Sequence, residues 1–161
     1  MYVPLFVLVA LSARIHYNLL TGHCHVRVIM EGDIFMILNP DCVRDILIYV
    51  EENSDLRHIV SISPQSIPDE LSKYSCDEVM YHIKQAELSS LLNVASWYLD
   101  GGCSIYYLLP EGHQFLADIR EDNNWNKTKD IAKSVGSNSL DSLKQIATGV
   151  ITALVQSKLG L

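Results

Sequence analysis

The chain has 161 residues, of which 48% are hydrophobic and 19% are charged, a composition typical of one globular domain and not of a disordered segment. Its 12 Lys and Arg residues and 19 Asp and Glu residues give a net charge of −7, which excludes a broadly basic, nucleic-acid-binding surface. The cysteines Cys24, Cys42, Cys76 and Cys103 form no C-x-x-C pair. This spacing predicts reduced, buried thiols of a cytoplasmic protein and not a zinc ribbon.

Residues 1–35 differ in pattern from the rest of the chain. Residues 1–13 are almost wholly apolar, but this run is shorter than the ~20 residues of a membrane-spanning helix. Codons for Glu31-Gly32 spell a purine-rich sequence that resembles a bacterial ribosome-binding site a few codons before Met36. We therefore interpret residues 1–35 as a leader outside any domain, an upstream extension of the reading frame, with a signal-like segment as the alternative.

Signals for regular structure begin at Met36. Asn39 can cap a helix, Pro40 suits the first helical position, and apolar residues follow at helical spacing, so the pattern predicts a first helix over residues 40–52. The β-branched run 58–63 predicts a short strand. Pro68 and the acidic residues after it predict a short second helix at residues 68–71.

The third predicted helix begins at a capping box, the S-x-x-E pattern of Ser75 and Glu78, in which each side chain satisfies a free backbone N–H. Apolar residues at i, i+3, i+4 and i+7 predict one buried face and an outward polar face. The predicted inward residues are Cys76, Val79, Met80 and Ile83. The predicted outward residues are Asp77, Glu78, Tyr81, Lys84 and Gln85.

Two strand-like runs, residues 91–99 and 103–108, flank Asp100-Gly101-Gly102, a strong hairpin signal because glycine accepts positive φ. Residues 109–120 predict a fourth helix, with Leu109 in the cap position where Ser or Thr is usual. This order of elements is typical of a winged helix-turn-helix. We therefore predict an α+β, mainly α fold, with a winged helix-turn-helix core and a β-hairpin wing over residues 36–121. A simple α+β domain without a groove-reading role would show the same periodicities.

Residues 122–161 predict two appended C-terminal helices. The first ends at Gly136, and the second is capped by Ser139 and runs to about residue 159. The second helix carries a long apolar stripe that needs a partner. Burial on the protein's own core and self-association through paired helices both satisfy it. The candidate dimerisation residues on this stripe are Leu143, Ile146, Val150, Ile151 and Leu154.

Three of these segments carry a family resemblance. The runs Leu-Asn-Pro-Asp-Cys-Val-Arg-Asp-Ile-Leu at 38–47, Tyr-His-Ile-Lys-Gln-Ala-Glu-Leu at 81–88 and Leu-Pro-Glu-Gly-His-Gln-Phe-Leu at 109–116 resemble the uncharacterised bacterial and phage family called domain of unknown function 2513. The resemblance covers the chain from Met36 to the C-terminus. It implies a small, prophage-associated cytoplasmic protein with a winged-helix core, and no assigned reaction, ligand or catalytic residue.

The chain contains no H-E-x-x-H, G-x-S-x-G or P-loop motif, so we predict no enzyme, no cofactor and no metal site. The first functional hypothesis is transcription-linked binding of double-stranded DNA, with Tyr81, Lys84 and Gln85 in the major groove and the hairpin residues Gly101 and Gly102 on the backbone. The acidic charge argues against it. The second hypothesis is an accessory factor that docks on a host or phage protein through its acidic surface.

Overall fold

The computed structural model describes residues 37–160, which lie in the compact unit Met36–Leu161. The predicted leader over residues 1–35 lies outside the described residues. The described part is α+β and mainly helical. Its elements are, in chain order, α1 (Pro40–Asn53), β1 (Val60–Ile62), a 3₁₀ turn (Asp69–Leu71), α2 (Cys76–Leu88), β2 (Leu92–Trp97), β3 (Cys103–Leu108), α3 (Pro110–Ile119), α4 (Asp122–Val135) and α5 (Leu140–Leu159).

Helices α1 and α2 begin at side-chain caps, as the sequence predicts. The Asn39 carboxamide oxygen accepts from the backbone N–H of Asp41, at 3.1 Å, and the Ser75 hydroxyl accepts from the N–H of Glu78, at 3.2 Å. The prediction of a reciprocal capping box is wrong in its second half. The Glu78 carboxylate accepts from the Asn39 side-chain NH₂ at 2.8 Å, because α1 offers a tertiary partner at the start of α2.

The buried face of α2 differs from the predicted one. Val79, His82, Ile83 and Ala86 are buried, whereas Cys76 is exposed. Cys76 is the first residue of the helix, and His82 is buried with both of its ring nitrogens in hydrogen bonds. Of the predicted buried thiols in the described residues, Cys42 and Cys103 are buried and Cys76 is not.

The three strands form an antiparallel sheet in the order β1-β3-β2. The predicted hairpin joins β2 to β3, with Trp97 opposite Cys103, and Gly101 at its turn has φ +85°, a conformation that favours glycine. Strand β1 lies on the other side of β3, where Ile62 pairs with Cys103. Apolar residues of the sheet and helices share one core. Its fully buried large side chains include Ile46, Leu47, Ile62, Ile83, Leu91, Ile105 and Leu116.

Helix α3 packs very closely against the segment between α2 and β2. The N-cap residue Leu109 makes no side-chain capping bond, and its backbone N–H donates to the Leu91 carbonyl at 3.0 Å. A Cβ placed on Gly112 would lie 2.1 Å from the same carbonyl oxygen. The start of α3 is therefore held by packing, and the packing requires glycine at this position.

Helix α4 is joined to α1 by polar contacts. The Asp41 carboxylate accepts from the indole N–H of Trp125 at 2.6 Å and from the Lys129 ammonium at 2.8 Å. The Arg44 guanidinium donates to the Ile119 carbonyl at 3.1 Å and to Asp122 at 2.8 Å. Burial of Asp41 opposes ionisation, but the bonds from Lys129 and Trp125 outweigh it, and the pKa of Asp41 is lowered.

Helix α5 packs on the domain's own core through its first half. Leu140, Leu143, Ala147 and Val150 are buried, whereas residues 151–160 include no buried side chain. The turn before α5 ends α4 at Gly136, which has φ +70°, and Ser139 caps α5, both as predicted.

Candidate interaction surface

The outward side of α2 and the hairpin form a continuous surface. The Lys84 ammonium lies 5.0 Å from the centroid of the Trp97 ring and 2.7 Å from a carboxylate oxygen of Glu87. The same Glu87 oxygen accepts from the Trp97 indole N–H at 3.0 Å. These contacts connect the helix to strand β2. We call the outward residues of segment 69–88, Trp97 and the hairpin turn (residues 98–101) the α2–wing face.

Three residues predicted to contact DNA lie on α2 with different accessibility. Lys84 is exposed, whereas Tyr81 and Gln85 are half-buried. Tyr81 packs edge-on against His82, with ring centroids 5.0 Å apart. Only Lys84 among them has an exposed side chain, and its charge is paired with Glu87.

The two hairpin glycines have different surroundings. Gly101 is exposed at the tip, whereas Gly102 is buried, and a Cβ there would lie 3.1 Å from the Ile62 carbonyl oxygen. The contact of Gly102 with a nucleic acid stays a prediction, and the Gly102 backbone packs against the end of β1. Gly102 shapes the hairpin, and Gly101 alone of the two is accessible.

The α2–wing face is acidic in charge and its cations are paired. Residues 69–88 contain five acidic residues and two basic ones. The Lys73 ammonium lies 2.7 Å from an Asp45 carboxylate oxygen, and the Lys84 ammonium is equally close to Glu87. Asp45 also accepts from the Tyr74 hydroxyl at 2.6 Å, and burial with this carboxylate raises the pKa of Tyr74. Residues 69–88 therefore have no unpaired Lys or Arg to offer to phosphate.

The tip of the hairpin is apolar and aromatic. Leu99 is fully exposed and Tyr98 is 51% exposed, while the Tyr98 hydroxyl lies 2.8 Å from the Ser104 hydroxyl. Asp100 accepts from the Gly102 N–H at 2.9 Å, so its carboxylate closes the turn. The sequence pattern predicts a turn that contacts the DNA backbone here and does not predict this exposed apolar residue pair. Its signal was the Tyr-Leu dipeptide directly before Asp-Gly-Gly.

A second polar cluster lies between the starts of α1 and α2. One ligand atom each of Cys42, Glu78 and His82 lies within 4.8 Å of the others, a donor set that suits zinc. However, Nε2 of His82 accepts from the Asn39 backbone N–H at 2.7 Å, and Nδ1 donates to the Glu78 carbonyl at 2.7 Å. Burial, with Glu78 and Asp45 nearby, raises the pKa of Cys42 to about 12. Both imidazole nitrogens are occupied and the thiol is protonated, so the cluster is built to join α1 to α2.

The candidate dimerisation residues divide between the core and a groove. Leu143 is fully buried and Val150 is 8% exposed, so neither side chain can make a large contact with a second chain. Ile146, Ile151 and Leu154 are half-buried. The groove between α4 and α5 has a volume of about 420 Å³. Its lining residues are Lys127, Ile131, Ile146, Gly149, Val150, Ala153 and Leu154.

Fold and surface together define a small, mainly helical α+β protein. None of the helices formed by residues 37–160 combines the length and the hydropathy of a membrane-spanning segment. Residues 37–138 match the model of the family described as "Hypothetical protein (DUF2513)", and the chain belongs to this family, which confirms the resemblance found in the sequence. The chain is also 29% identical over 120 residues to an uncharacterized protein of Haemophilus influenzae, an alignment that covers 73% of this chain and 97% of that protein. No solved structure matches the chain.

Proposed function

We propose that residues 37–119 form a winged-helix domain. The order α1, β1, 3₁₀ turn, α2, β2, β3 and the strand order β1-β3-β2 support this assignment, with α2 in the place of the recognition helix and the β2–β3 hairpin as the wing. Helices α4 and α5 are additions to this core. A winged helix can bind nucleic acid or protein, so the α2–wing face decides between these functions.

We propose that this face binds a basic surface of another protein, as a non-catalytic accessory factor of the bacterial cytoplasm. The pairing of Lys73 and Lys84 with carboxylates is the observation that carries the proposal. DNA binding gains its affinity from Lys and Arg side chains that replace counterions at phosphates, and paired cations on an acidic face supply little of it. A basic protein surface gains from the same acidic charge, through steering and complementarity.

The apolar hairpin tip supplies the anchor of this proposed contact. Interface energy concentrates in a few large side chains that enter pockets of the partner. Leu99 is fully exposed, and Tyr98 stands next to it with its hydroxyl held by Ser104. A leucine at a hairpin tip has no electrostatic attraction to phosphate, whereas it fits an apolar pocket between basic residues.

The test compares matched pairs of variants in affinity purification from the native host. Leu99→Ser is paired with Leu56→Ser, because both leucines are fully exposed but Leu56 lies in the α1–β1 loop. Asp77→Lys is paired with Asp130→Lys on α4, another exposed carboxylate. We expect Leu99→Ser and Asp77→Lys to lose one and the same protein, which both controls retain.

The protein identified in this way is then purified and its affinity measured as salt is raised. Salt-weakened 1:1 binding supports the proposal, because salt screens attraction between oppositely charged surfaces. The proposal fails if all four variants retain the same proteins as the wild type, or if the purified pair does not bind.

Binding of double-stranded DNA is the second candidate function, and the winged-helix order of the elements favours it. In this reading Lys84 contacts a phosphate or base after leaving Glu87, with Tyr81, Gln85 and Gly101 beside it. Fluorescence anisotropy with a labelled duplex from the region upstream of the protein's own gene tests it at low salt. DNA binding predicts that Glu87→Gln tightens binding and that Lys84→Gln weakens it and lowers the salt dependence by about one counterion. Unchanged anisotropy for all three proteins at micromolar concentration excludes this function.

A further inference from the structure

We propose that a second copy of this chain occupies the α4–α5 groove, so that two α5 helices cross antiparallel at Gly149. The groove lies on the appended helices and uses none of the residues of the α2–wing face. The inference therefore stands or falls independently of the proposed function.

The first observation is a helical glycine that the single chain does not explain. Glycine in a helix interior costs about 1 kcal/mol relative to alanine, and Gly112 has a packing reason, its contact with the Leu91 carbonyl. Gly149 lies in the interior of α5, and apart from its chain neighbours and its own helix backbone no atom of the described residues lies within 4 Å of the place a Cβ would take. A glycine in that position allows the backbone of another helix to approach closely. Ala153, one turn later, continues the same small-residue surface of the groove.

The second observation is the lining of the groove, which is apolar except for Lys127. Ile131 is 42% exposed, and Ile146 and Leu154 are half-buried, although all three line the groove. Between Lys144 and Lys158, α5 has no charged residue over residues 145–157. An uncharged apolar surface offers no electrostatic complementarity to a charged partner, although the whole chain has a net charge of −7. It can instead pack against the same apolar surface of a second copy.

The dimensions of the helices also favour a second copy. Gly149 is the tenth of the 20 residues of α5, so a twofold axis beside it lets both helices overlap over their whole length. A 20-residue helix is about 30 Å long, and two helices side by side are about 20 Å wide. Since α4 has only 14 residues and is about 21 Å long, the α4–α5 face measures on the order of 500 Å². Two copies would therefore bury roughly 1,000 Å² in total, the lower limit expected of a specific interface. Antiparallel crossing also brings the N-terminal end of one helix to the C-terminal end of the other, which suits their dipoles.

Sedimentation of the purified full chain over a range of concentrations tests the proposal. We expect a reversible monomer–dimer equilibrium that higher salt strengthens, because the two copies carry like net charge. Ala153→Glu should weaken dimerisation roughly 100-fold, because it places two carboxylates in the interface. Thr152→Glu is the matched control, since it adds the same charge to an exposed neighbour about 100° away around the helix, and should change the dissociation constant by less than about threefold.

Disulfide crosslinking tests the orientation of the two helices, with Cys24 and Cys76 first replaced by serine. An antiparallel crossing with its twofold axis between Gly149 and Val150 places Ile146 of one copy opposite Ala153 of the other. A mixture of Ile146→Cys and Ala153→Cys chains should crosslink, and Ala153→Cys alone should not. A chain that stays monomeric at roughly 100 μM, a dimer that Ala153→Glu does not weaken, or preferential crosslinking of Ala153→Cys to itself would each overturn the proposal.

Discussion

Replacing Gly112 by alanine tests the close packing at the start of α3. The new Cβ would lie 2.1 Å from the Leu91 carbonyl oxygen, 0.9 Å less than the 3.0 Å below which real contacts essentially do not occur. Both sides of this contact are backbone, so neither can move away by a rotamer change. Overpacking costs about 1–3 kcal/mol, and the upper value applies here because α3 must shift as a whole.

The shift of α3 also weakens a backbone hydrogen bond, and the helix propensity of alanine partly offsets the loss of stability. Moving α3 stretches the bond from the Leu109 N–H to the Leu91 carbonyl, 3.0 Å long, and a lost hydrogen bond costs about 1 kcal/mol. Alanine recovers about 1 kcal/mol through its helix propensity. We therefore expect Gly112→Ala to lower the free energy of unfolding by about 3 kcal/mol.

Urea unfolding followed by circular dichroism measures this change at low protein concentration. With a slope of about 2 kcal/mol per molar urea, the midpoint should fall by about 1.5 M. Gly149→Ala is the control, because it is also helical but meets open space, and should raise the stability of the monomer by about 0.5–1 kcal/mol. If the Gly112→Ala midpoint equals or exceeds that of the wild type, the packing argument is wrong.

Three further predictions follow from buried and bridging groups. Burial lowers the pKa of His82, so the unfolded chain binds a proton at a higher pH than the folded chain does. The free energy of unfolding should therefore decrease as pH falls below about 6.5. Urea titrations across this range should show a smaller decrease for His82→Gln. Arg44→Lys should lower the free energy of unfolding, measured in urea, by about 1–3 kcal/mol. Lysine cannot reproduce the two hydrogen bonds that the guanidinium of Arg44 donates at the α3–α4 junction. An unchanged urea midpoint would contradict this prediction. Among the described cysteines, Cys76 should react first with iodoacetamide, as peptide mass analysis would show. Burial raises the pKa of Cys42 to about 12 and that of Cys103 to about 11, so both thiols should react slowly. Equal labelling of all three cysteines would refute this prediction.

Local signals predicted the elements well because the residues that fix them are neighbours in sequence. Asn39, Ser75 and Ser139 begin helices by accepting from backbone N–H groups two or three residues later. Gly101 and Gly136 adopt the positive φ that their turns require. Such interactions are written in a few consecutive residues, so pattern reasoning can find them.

The candidate site depended on contacts that no local pattern contains. The buried His82 accepts a hydrogen bond from Asn39, which is 43 residues away in the sequence. Glu78 likewise accepts from the side chain of Asn39 and makes no capping bond. The pairing of Lys84 with Glu87 was within reach of the sequence, since the two are three residues apart on one helix. Its stacking on Trp97 was not, because that contact needs the hairpin to fold back beside α2.

The two tryptophans of the chain occupy places that suit separate optical measurements. Trp125 is almost fully buried between α4 and α1, whereas Trp97 is half-buried on the α2–wing face. In Trp97→Phe only Trp125 emits, and its fluorescence reports unfolding of the core. In Trp125→Phe only Trp97 emits, and its fluorescence reports binding at the surface around Lys84. The protein thus carries one intrinsic fluorophore that reports folding and one that reports binding, so neither measurement requires an external dye.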